Sequence, residues 1–356
     1  MRPHTALDKT AARSASVRVV PFDGSDAQWD ATVADLEESD FSHLAGWRHV
    51  FGGVLGHEEW RWVAVDGDDR EIGLLPLVRV RSRLFGDYLL SMPFLSYGGP
   101  LGSEAAKAAL VAHSVEEARR LGVDLLELRT RRRLPGDLTV SHRKITVTKS
   151  LPPSSEELWD DGLRSKVRSQ IRRPKKAGMT AEFGVALVDD FYAVFSRTMR
   201  DLGTPVLPKT FFEGVARHLA PHVVFCVIRS GPAPVAAGCG FAWNGEVEIT
   251  WAGALREHSR EAPNMLLYWS FMEEAIRRGA TTFNFGRCTP GSGTHRFKGQ
   301  WGTDDQPLPW AQWTNGGVGK TPSPDGRKYE IATALWSRLP MPVANRMGPL
   351  ISPSLP

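Results

Sequence analysis

Val224-Phe225-Cys226-Val227-Ile228, then Ser230-Gly231-Pro232, then Val235-Ala236-Ala237-Gly238 reads as strand, turn, strand. An earlier stretch has the same grammar: Trp62-Val63-Ala64-Val65, the turn Asp66-Gly67-Asp68-Asp69, and Ile72-Gly73-Leu74-Leu75. An amphipathic helix precedes each hairpin. Leu44, Trp47, Phe51, Val54 and Leu55 share one face in the first; Phe191, Val194, Phe195, Thr198 and Leu202 do so in the second. Downstream, each half has a helix that stops at glycine and feeds a strand. Glu117-Ala118-Arg119-Arg120-Leu121-Gly122 leads into Leu125–Arg129, and Glu274-Ala275-Ile276-Arg277-Arg278-Gly279 into Phe283–Arg287. Arginine in a last turn followed by glycine is helix-stop chemistry. The pieces recur in one order about 160 residues apart, which predicts an internal repeat: hairpin sheets with flanking helices, twice, in an α+β chain.

Composition agrees. A chain of 356 residues that is 42% hydrophobic fits two domains. Residues 1–16 read as a disordered tail, 17–150 as a first lobe and 151–315 as a second, with 316–356 as a loop, helix and tail. The turn-rich Thr314-Asn315-Gly316-Gly317 and Pro322-Ser323-Pro324-Asp325-Gly326 mark that loop. A helix from Lys328 to Arg338 follows. The apolar Leu335, Trp336, Leu339, Val343 and Met347 are expected to pack back onto the core, since too few cations flank them for a membrane-surface helix. The three cysteines, Cys226, Cys239 and Cys288, cannot all pair and form no C-x-x-C unit, which fits a reducing cytoplasm without disulfides or a metal site. No apolar run approaches the roughly 18 residues of a membrane span. The net charge of +4 permits an anionic partner without demanding one.

Seven cations, Arg164, Lys166, Arg168, Arg172, Arg173, Lys175 and Lys176, crowd one segment, and no acid occurs between Asp161 and Glu182. Such a helix is costly without an anion nearby. It is either a phosphate-holding face or a solvated face between lobes, and Pro174 should end or kink it. Two other patterns are set aside. Gly319-Lys320-Thr321 mimics a phosphate loop, but Pro322 blocks the helix that must follow. His218 and His222 have helical metal spacing, but Pro221 lies between them. No G-x-S-x-G nucleophile elbow occurs.

Arg164-Ser-Lys-Val-Arg-Ser-Gln-Ile-Arg with Lys175-Lys176-Ala-Gly resembles the basic helix of the Fem-type peptidyltransferases. Asn264-Met265-Leu266-Leu267-Tyr268-Trp269, the run Phe285–Thr294, His295-Arg296-Phe297-Lys298-Gly299-Gln300-Trp301-Gly302 and Val343–Pro349 resemble the FemAB-related proteins of exopolysaccharide and PEP-CTERM sorting loci. The resemblance covers about residues 40–350. It implies two tandem GNAT-like lobes, of the acyl-CoA N-acyltransferase type, each a mixed, mostly antiparallel sheet flanked by helices. It also implies an aminoacyl- or N-acyltransferase that forms an amide on an amine of a small or cell-wall precursor, with aminoacyl-tRNA as donor; a monomer without bound cofactor or metal is expected. Pro174 departs from the family pattern, as does the absence of a long charged helical-hairpin insertion. In the family a Phe-Lys pair lies at the reacting centre, and it maps onto Phe297 and Lys298.

Aminolysis of an ester or thioester needs a proton acceptor, oxyanion stabilisation and an exit for the leaving group. Lys298 offers a cation for the oxyanion, or is a surface lysine paired with a carboxylate; Phe297 packs. Arg287 clamps a phosphate or carboxylate, or caps local carbonyls. Thr289 belongs to the turn after it, whose backbone N–H groups suit an anion. Asn264 and Tyr268, spaced i, i+4 behind Pro263, offer groups at a helix N-terminus or are buried polar groups of an apolar helix. Asp201 and His295 are proton acceptors or structural. Arg164, Lys166, Arg168 and Arg172 are the phosphate-binding candidates. Coenzyme A-dependent GNAT enzymes hold pyrophosphate on a glycine-bearing loop, whereas Ser259-Arg260-Glu261-Ala262-Pro263-Asn264 has no glycine and carries an acid. That argues against acetyl-CoA and leaves a longer acyl-CoA or acyl carrier as the alternative donor, and a non-catalytic binder as the alternative class.

Overall fold

The glycine after each long central helix does what its position requires. Gly122 is left-handed (φ 66°) and closes the helix Glu104–Leu121, and Gly279 (φ 77°) follows the end of its counterpart Pro263–Arg277. These elements belong to a computed structural model that describes residues 17–82, 85–316 and 327–355. The tail 1–16, Gly319-Lys320-Thr321 and most of the turn-rich loop lie outside the described residues.

The strands are β1 (Arg18–Pro21), β2 (Glu58–Val65), β3 (Glu71–Ser82), β4 (Gly86–Leu90), β5 (Leu101–Gly102), β6 (Leu125–Leu128), β7 (Thr139–Ser150), β8 (Thr180–Phe183), β9 (Val223–Ser230), β10 (Ala233–Trp243), β11 (Glu246–Ala254), β12 (Thr282–Cys288) and β13 (Asp304–Thr314). Among the described residues they form one sheet in the order β1-β2-β3-β4-β6-β13-β7-β12-β11-β10-β9-β8, with β5 on β3. Each half contributes an antiparallel meander and one parallel join: β4 with β6 in the first, β11 with β12 in the second. The fold is therefore two GNAT-like lobes, α+β, with mixed sheets flanked by helices. The halves also exchange their last strands. β7 lies between β13 and β12, and β13 between β6 and β7, so a cut at residue 150 would part hydrogen-bonded neighbours.

The helices are α1 (Asp26–Asp35), α2 (Glu104–Leu121), α3 (Ser155–Asp160), α4 (Ser165–Lys176), α5 (Val188–Asp201), α6 (Lys209–His218), α7 (Pro263–Arg277), α8 (Gly293–Gly299), α9 (Arg327–Trp336) and α10 (Met341–Ile351). One core is shared by the halves: Trp29, Phe41, Trp47 and Phe51 pack with Phe191, Phe195, Phe211 and Phe241. Phe41 and Phe241 stack at 4.2 Å across that seam. A second core holds α4 and α7 against β12, through Val167, Ile171, Leu266, Leu267, Phe283 and Phe285.

Several local expectations change. The first amphipathic stretch is a short helix, Gly46–Arg48, running into a π-helical turn, His49–Val54; the extra residue per turn leaves Val54 and Leu55 half-buried beside buried Phe51. Leu202 lies just past the end of α5 and is 58% exposed. Pro174 does not stop α4, which runs two residues further: it sits in the last turn, buried, where one lost N–H is tolerable. At the C-terminus, Leu335, Val343 and Met347 are exposed, and smaller residues make the docking contacts. Ala344 and Gly348 are buried, and the Ser352 hydroxyl donates to the Val206 carbonyl at 2.9 Å. No helix among the described residues is long and apolar enough to cross a membrane.

Candidate active site

β11 and β12 are hydrogen-bonded only from Glu246–Thr282 to Glu248–Asn284, and then they part. The cause is local. Gly286 is left-handed (φ 73°), and the register of β12 on β7 slips between Asn284 and Arg287. A Cβ at residue 286 would stand 2.8 Å from the Ile249 carbonyl oxygen, so only glycine lets the strands pass this closely.

Asn284 anchors the lower end of the gap. It is fully buried, and both ends of its amide are used. Its Oδ1 accepts from the Thr146 hydroxyl (2.7 Å) and the Gly286 N–H (2.8 Å), while its Nδ2 donates to the Tyr97 hydroxyl (3.0 Å) and Glu246 (2.8 Å). Glu248 is next to the gap, 1% exposed. The Thr250 hydroxyl donates to its Oε1 at 3.2 Å, and its Oε2 has no hydrogen-bond partner among the described residues. Burial, with Asp40 and Glu246 adding repulsion, pushes this carboxyl up to about 8.

Arg287 faces a cavity of about 390 Å³ lined by Phe195, Met199, Leu207, Thr250 and Trp251, with Ser352 and Leu355 from the C-terminal segment also in its wall. Its guanidinium donates to the Leu95 carbonyl and lies 5.5 Å from the Trp310 ring centroid. Arg129 donates to the same carbonyl (3.0 Å) and stands 4.7 Å from the same ring. Of the two cations, Arg129 is ion-paired, to Glu127 at 2.8 Å. Burial and then the Arg129 charge push Arg287 down to about 10, so it stays cationic at neutral pH and its charge is locally in excess.

Lys298 lies behind β12. It is buried, and its Nζ donates to the carbonyls of Gly286 (2.6 Å) and Arg287 (3.0 Å), at the point where β12 bends. Burial lowers it to about 8. Phe297 is half-buried against Tyr268, with ring centroids 5.1 Å apart, and Tyr268 stacks on Phe285 at 5.5 Å. Asn264 follows Pro263 in the first turn of α7 and is half-buried. Thus Lys298, Phe297 and Tyr268 gather on the α7 side of β12, while Arg287 lines the cavity. The remaining candidates lie apart. Thr289 is exposed and accepts from Lys144 at 2.8 Å. His295 pairs with Asp305 at 2.9 Å and accepts from the Gly291 N–H, so that donor of the glycine-rich turn is already engaged. Asp201 pairs with Arg200 at 2.7 Å.

The basic helix α4 sits on the outer side of α7. Arg164, Lys166 and Arg172 are exposed, and Arg168 donates to the Trp159 and Asp160 carbonyls. Arg172 lies 5.1 Å from the Trp159 ring centroid, and Arg173 donates to the Arg260 carbonyl just before α7. Among the described residues no salt bridge involves any cation from Arg164 to Lys176. At the entrance of α7, Ala262 is left-handed (φ 57°) and supplies no side-chain cap, and a buried Glu261 carboxylate oxygen lacks a hydrogen-bond partner among the described residues.

Residues 162–299 match the acetyltransferase (GNAT) domain family, and this segment is a GNAT-like acyltransferase domain. No curated protein matches the chain. Among solved structures the chain is similar to FemX, at 14% identity and a TM-score of 0.62, over 84% of this chain and 97% of that one. It is also similar to the C-terminal domain of a putative lysylphosphatidylglycerol synthetase from Agrobacterium fabrum (14% identity, TM-score 0.56, 87% and 95% covered). L-PGS from Bacillus licheniformis gives 12% identity and a TM-score of 0.55, with 88% and 98% covered. At these identities the likeness is one of fold.

Glu248 was missed by the sequence reading. Its strand, Glu246-Val247-Glu248-Ile249-Thr250, alternates like one with a solvated face. On that face Glu248 is buried while Glu246 and Thr250 are half-buried, because Asp40, Phe41 and Tyr97 of the first half stand near Glu248.

Proposed function

We propose that the protein transfers an acyl or aminoacyl group to an amine across the gap between β11 and β12. The observation that carries this reading is the placement of a protonatable buried carboxyl, Glu248, and an excess guanidinium, Arg287, at the edge of one strand opening in a GNAT-like domain. In the reaction the amine nitrogen attacks the donor carbonyl carbon and the carbonyl electrons move to oxygen. Glu248, ionised, takes the first amine proton; Arg287 faces the developing oxyanion; the carbonyl re-forms as the carbon–oxygen or carbon–sulfur bond breaks, and the leaving atom takes the proton that the nitrogen sheds as the amide forms. Lys298 holds the Gly286 and Arg287 carbonyls and so fixes where the guanidinium stands.

The donor enters from the α7 side. The cations of α4, which make no salt bridge among the described residues, flank that entrance, and Glu261 sits where a coenzyme pyrophosphate would need an uncharged loop. This favours aminoacyl-tRNA over acyl-CoA, with the acceptor an envelope precursor or a biosynthetic amine, as in Fem-like and exopolysaccharide-associated proteins. The test is release of labelled amino acid from charged tRNA to an amine pool, with and without RNase, beside acyl-CoA alone. RNase-sensitive transfer is the expected result; RNase-insensitive turnover with acyl-CoA alone overturns the tRNA assignment, and no transfer from either donor overturns the enzyme reading.

A further inference from the structure

A second cavity, of about 170 Å³, opens at the other end of Glu248, between the halves of the molecule. Its walls are Asp40 and Phe41 from the first half, and Trp243, Glu246 and Glu248 from β10 and β11, with Arg131 across them. The space is below that of a pocket for a whole metabolite and suits a head group.

The charges do not balance inside it. Arg131 donates to both Glu246 (2.6 Å) and Asp40 (3.3 Å), so one guanidinium answers two carboxylates. Glu38, at the rim, has its own cations in Arg132 (2.8 Å) and Lys107 (3.0 Å), the latter shared with Glu104. Among the described residues Glu248 makes no salt bridge, although Arg131, Arg287 and Lys298 act on it through space, and its Oε2 is buried without a hydrogen-bond partner. An unpaired buried carboxylate oxygen in an already acidic cavity is costly, and one small cation would satisfy it. The aromatic rings fit a cation as well: Phe41 and Trp243 line the same space, and the Trp243 indole is fixed by its N–H donating to Ser39 at 3.2 Å.

We propose that this cavity is the acceptor subsite and takes a primary ammonium group, with its nitrogen on the free Glu248 oxygen and its first methylenes against Trp243 and Phe41. This rests on the transfer reading only for the word acceptor; the binding itself does not depend on it. On seating, a protonated Glu248 gives up its proton to solvent and pairs with the ammonium. Once the donor arrives, the carboxylate takes one proton from the ammonium, and the freed amine attacks through the gap. No redox partner or metal is needed.

The test is a calorimetric titration of the full chain with propylammonium, with 1-propanol as the uncharged isostere. Wild type is expected to bind the ammonium and not the alcohol. Glu248→Gln is expected to weaken binding at least tenfold, and Trp243→Leu, which keeps the acids, several-fold. Repeating the titration at pH 6.5 in buffers of different ionisation enthalpy is expected to show proton release on binding in wild type and none in Glu248→Gln. Equal binding of amine and alcohol, or wild-type affinity in both variants, overturns the proposal, as does displacement of propylammonium by magnesium or calcium at equal concentration. Ammonium binding with these losses but no transfer from any donor leaves the subsite standing and sinks the transferase reading. Transfer that survives with wild-type acceptor KM in Trp243→Leu does the reverse.

Discussion

Gly286 and Glu248 face each other across the parting of β12 from β11: a methyl group added to Gly286 would lie 3.9 Å from the Glu248 carboxylate and 2.8 Å from the Ile249 carbonyl. The residue that opens the gap and the residue that titrates beside it are thus set by one backbone feature.

Gly286→Ala tests that feature. The left-handed φ of 73° costs an alanine roughly 1–2 kcal/mol, and the contact with Ile249 forces the strands apart or the kink flat. Activity is expected to fall by at least about 100-fold, because a 1 Å displacement at a reacting centre costs that much. The melting temperature should fall by a few degrees. An alanine variant with wild-type kcat would show that the gap is not the reaction site.

Glu248→Gln should separate activity from stability. Burial raises the folded carboxyl to about 8, above its unfolded value of 4.5. Below pH 4.5 both states hold the proton and burial costs nothing through ionisation. Between 4.5 and 8 the unfolded chain loses its proton first, so wild-type stability declines as pH rises and then levels above 8. Glutamine removes that loss. The variant should match wild type at pH 4 and exceed it near pH 8 by roughly a few kcal/mol at most. Its transfer activity should be low at every pH, whereas wild-type kcat/KM should climb to a plateau above about pH 8. Denaturant unfolding at the two pH values and a pH–rate profile measure both.

The repeat was legible because its signals are local. Gly122 and Gly279 announce their helix ends within a turn, and Asp66-Gly67 and Ser230-Gly231 announce hairpins without reference to the rest of the chain. The exchange of β7 and β13 left no such mark, since it depends on which strand a distant partner leaves unpaired. Glu248 was hidden for a related reason: an acid at every second position of a strand is the signature of a solvated face, and only the covering first half reverses it. Arg287 and Lys298 were legible as residues, through their place after a strand and in a family-like run. That the Lys298 ammonium binds the Gly286 and Arg287 carbonyls while the Arg287 side chain lines the cavity depends on the kink at Gly286 and on the packing of α8, which the letters do not specify.

Lys298 donates both of its hydrogen bonds to carbonyls at that kink, which makes it a positioning residue. Lys298→Met leaves the Gly286 and Arg287 carbonyls unpaired, each at a cost of about 1–3 kcal/mol, offset in part because an ammonium need no longer be buried. The melting temperature should fall by a few degrees and kcat by about 100-fold or more, with a smaller change in donor KM. A lowered kcat with unchanged melting temperature would instead place the ammonium directly on the oxyanion.

The basic helix gives a prediction independent of the chemistry. Arg164 and Lys166 are exposed, as is Lys176, and none has a salt bridge among the described residues, so substitution costs little stability. If they hold donor phosphates, each released counterion contributes to the salt dependence of binding, with a slope near 0.7–0.9 per contact. Arg164→Gln/Lys166→Gln/Lys176→Gln should therefore flatten the plot of log affinity for charged tRNA against log salt by about 2, raise donor KM at physiological salt, and leave the melting temperature within a degree or so. The acceptor side should not respond: Glu248 and Trp243 lie between the halves of the molecule, whereas α4 packs on the far side of α7. An unchanged slope would remove α4 from the donor path while leaving the gap, Glu248 and Arg287 as they stand. The amino-acid donor would then have to reach the opening from the larger cavity beside Arg287.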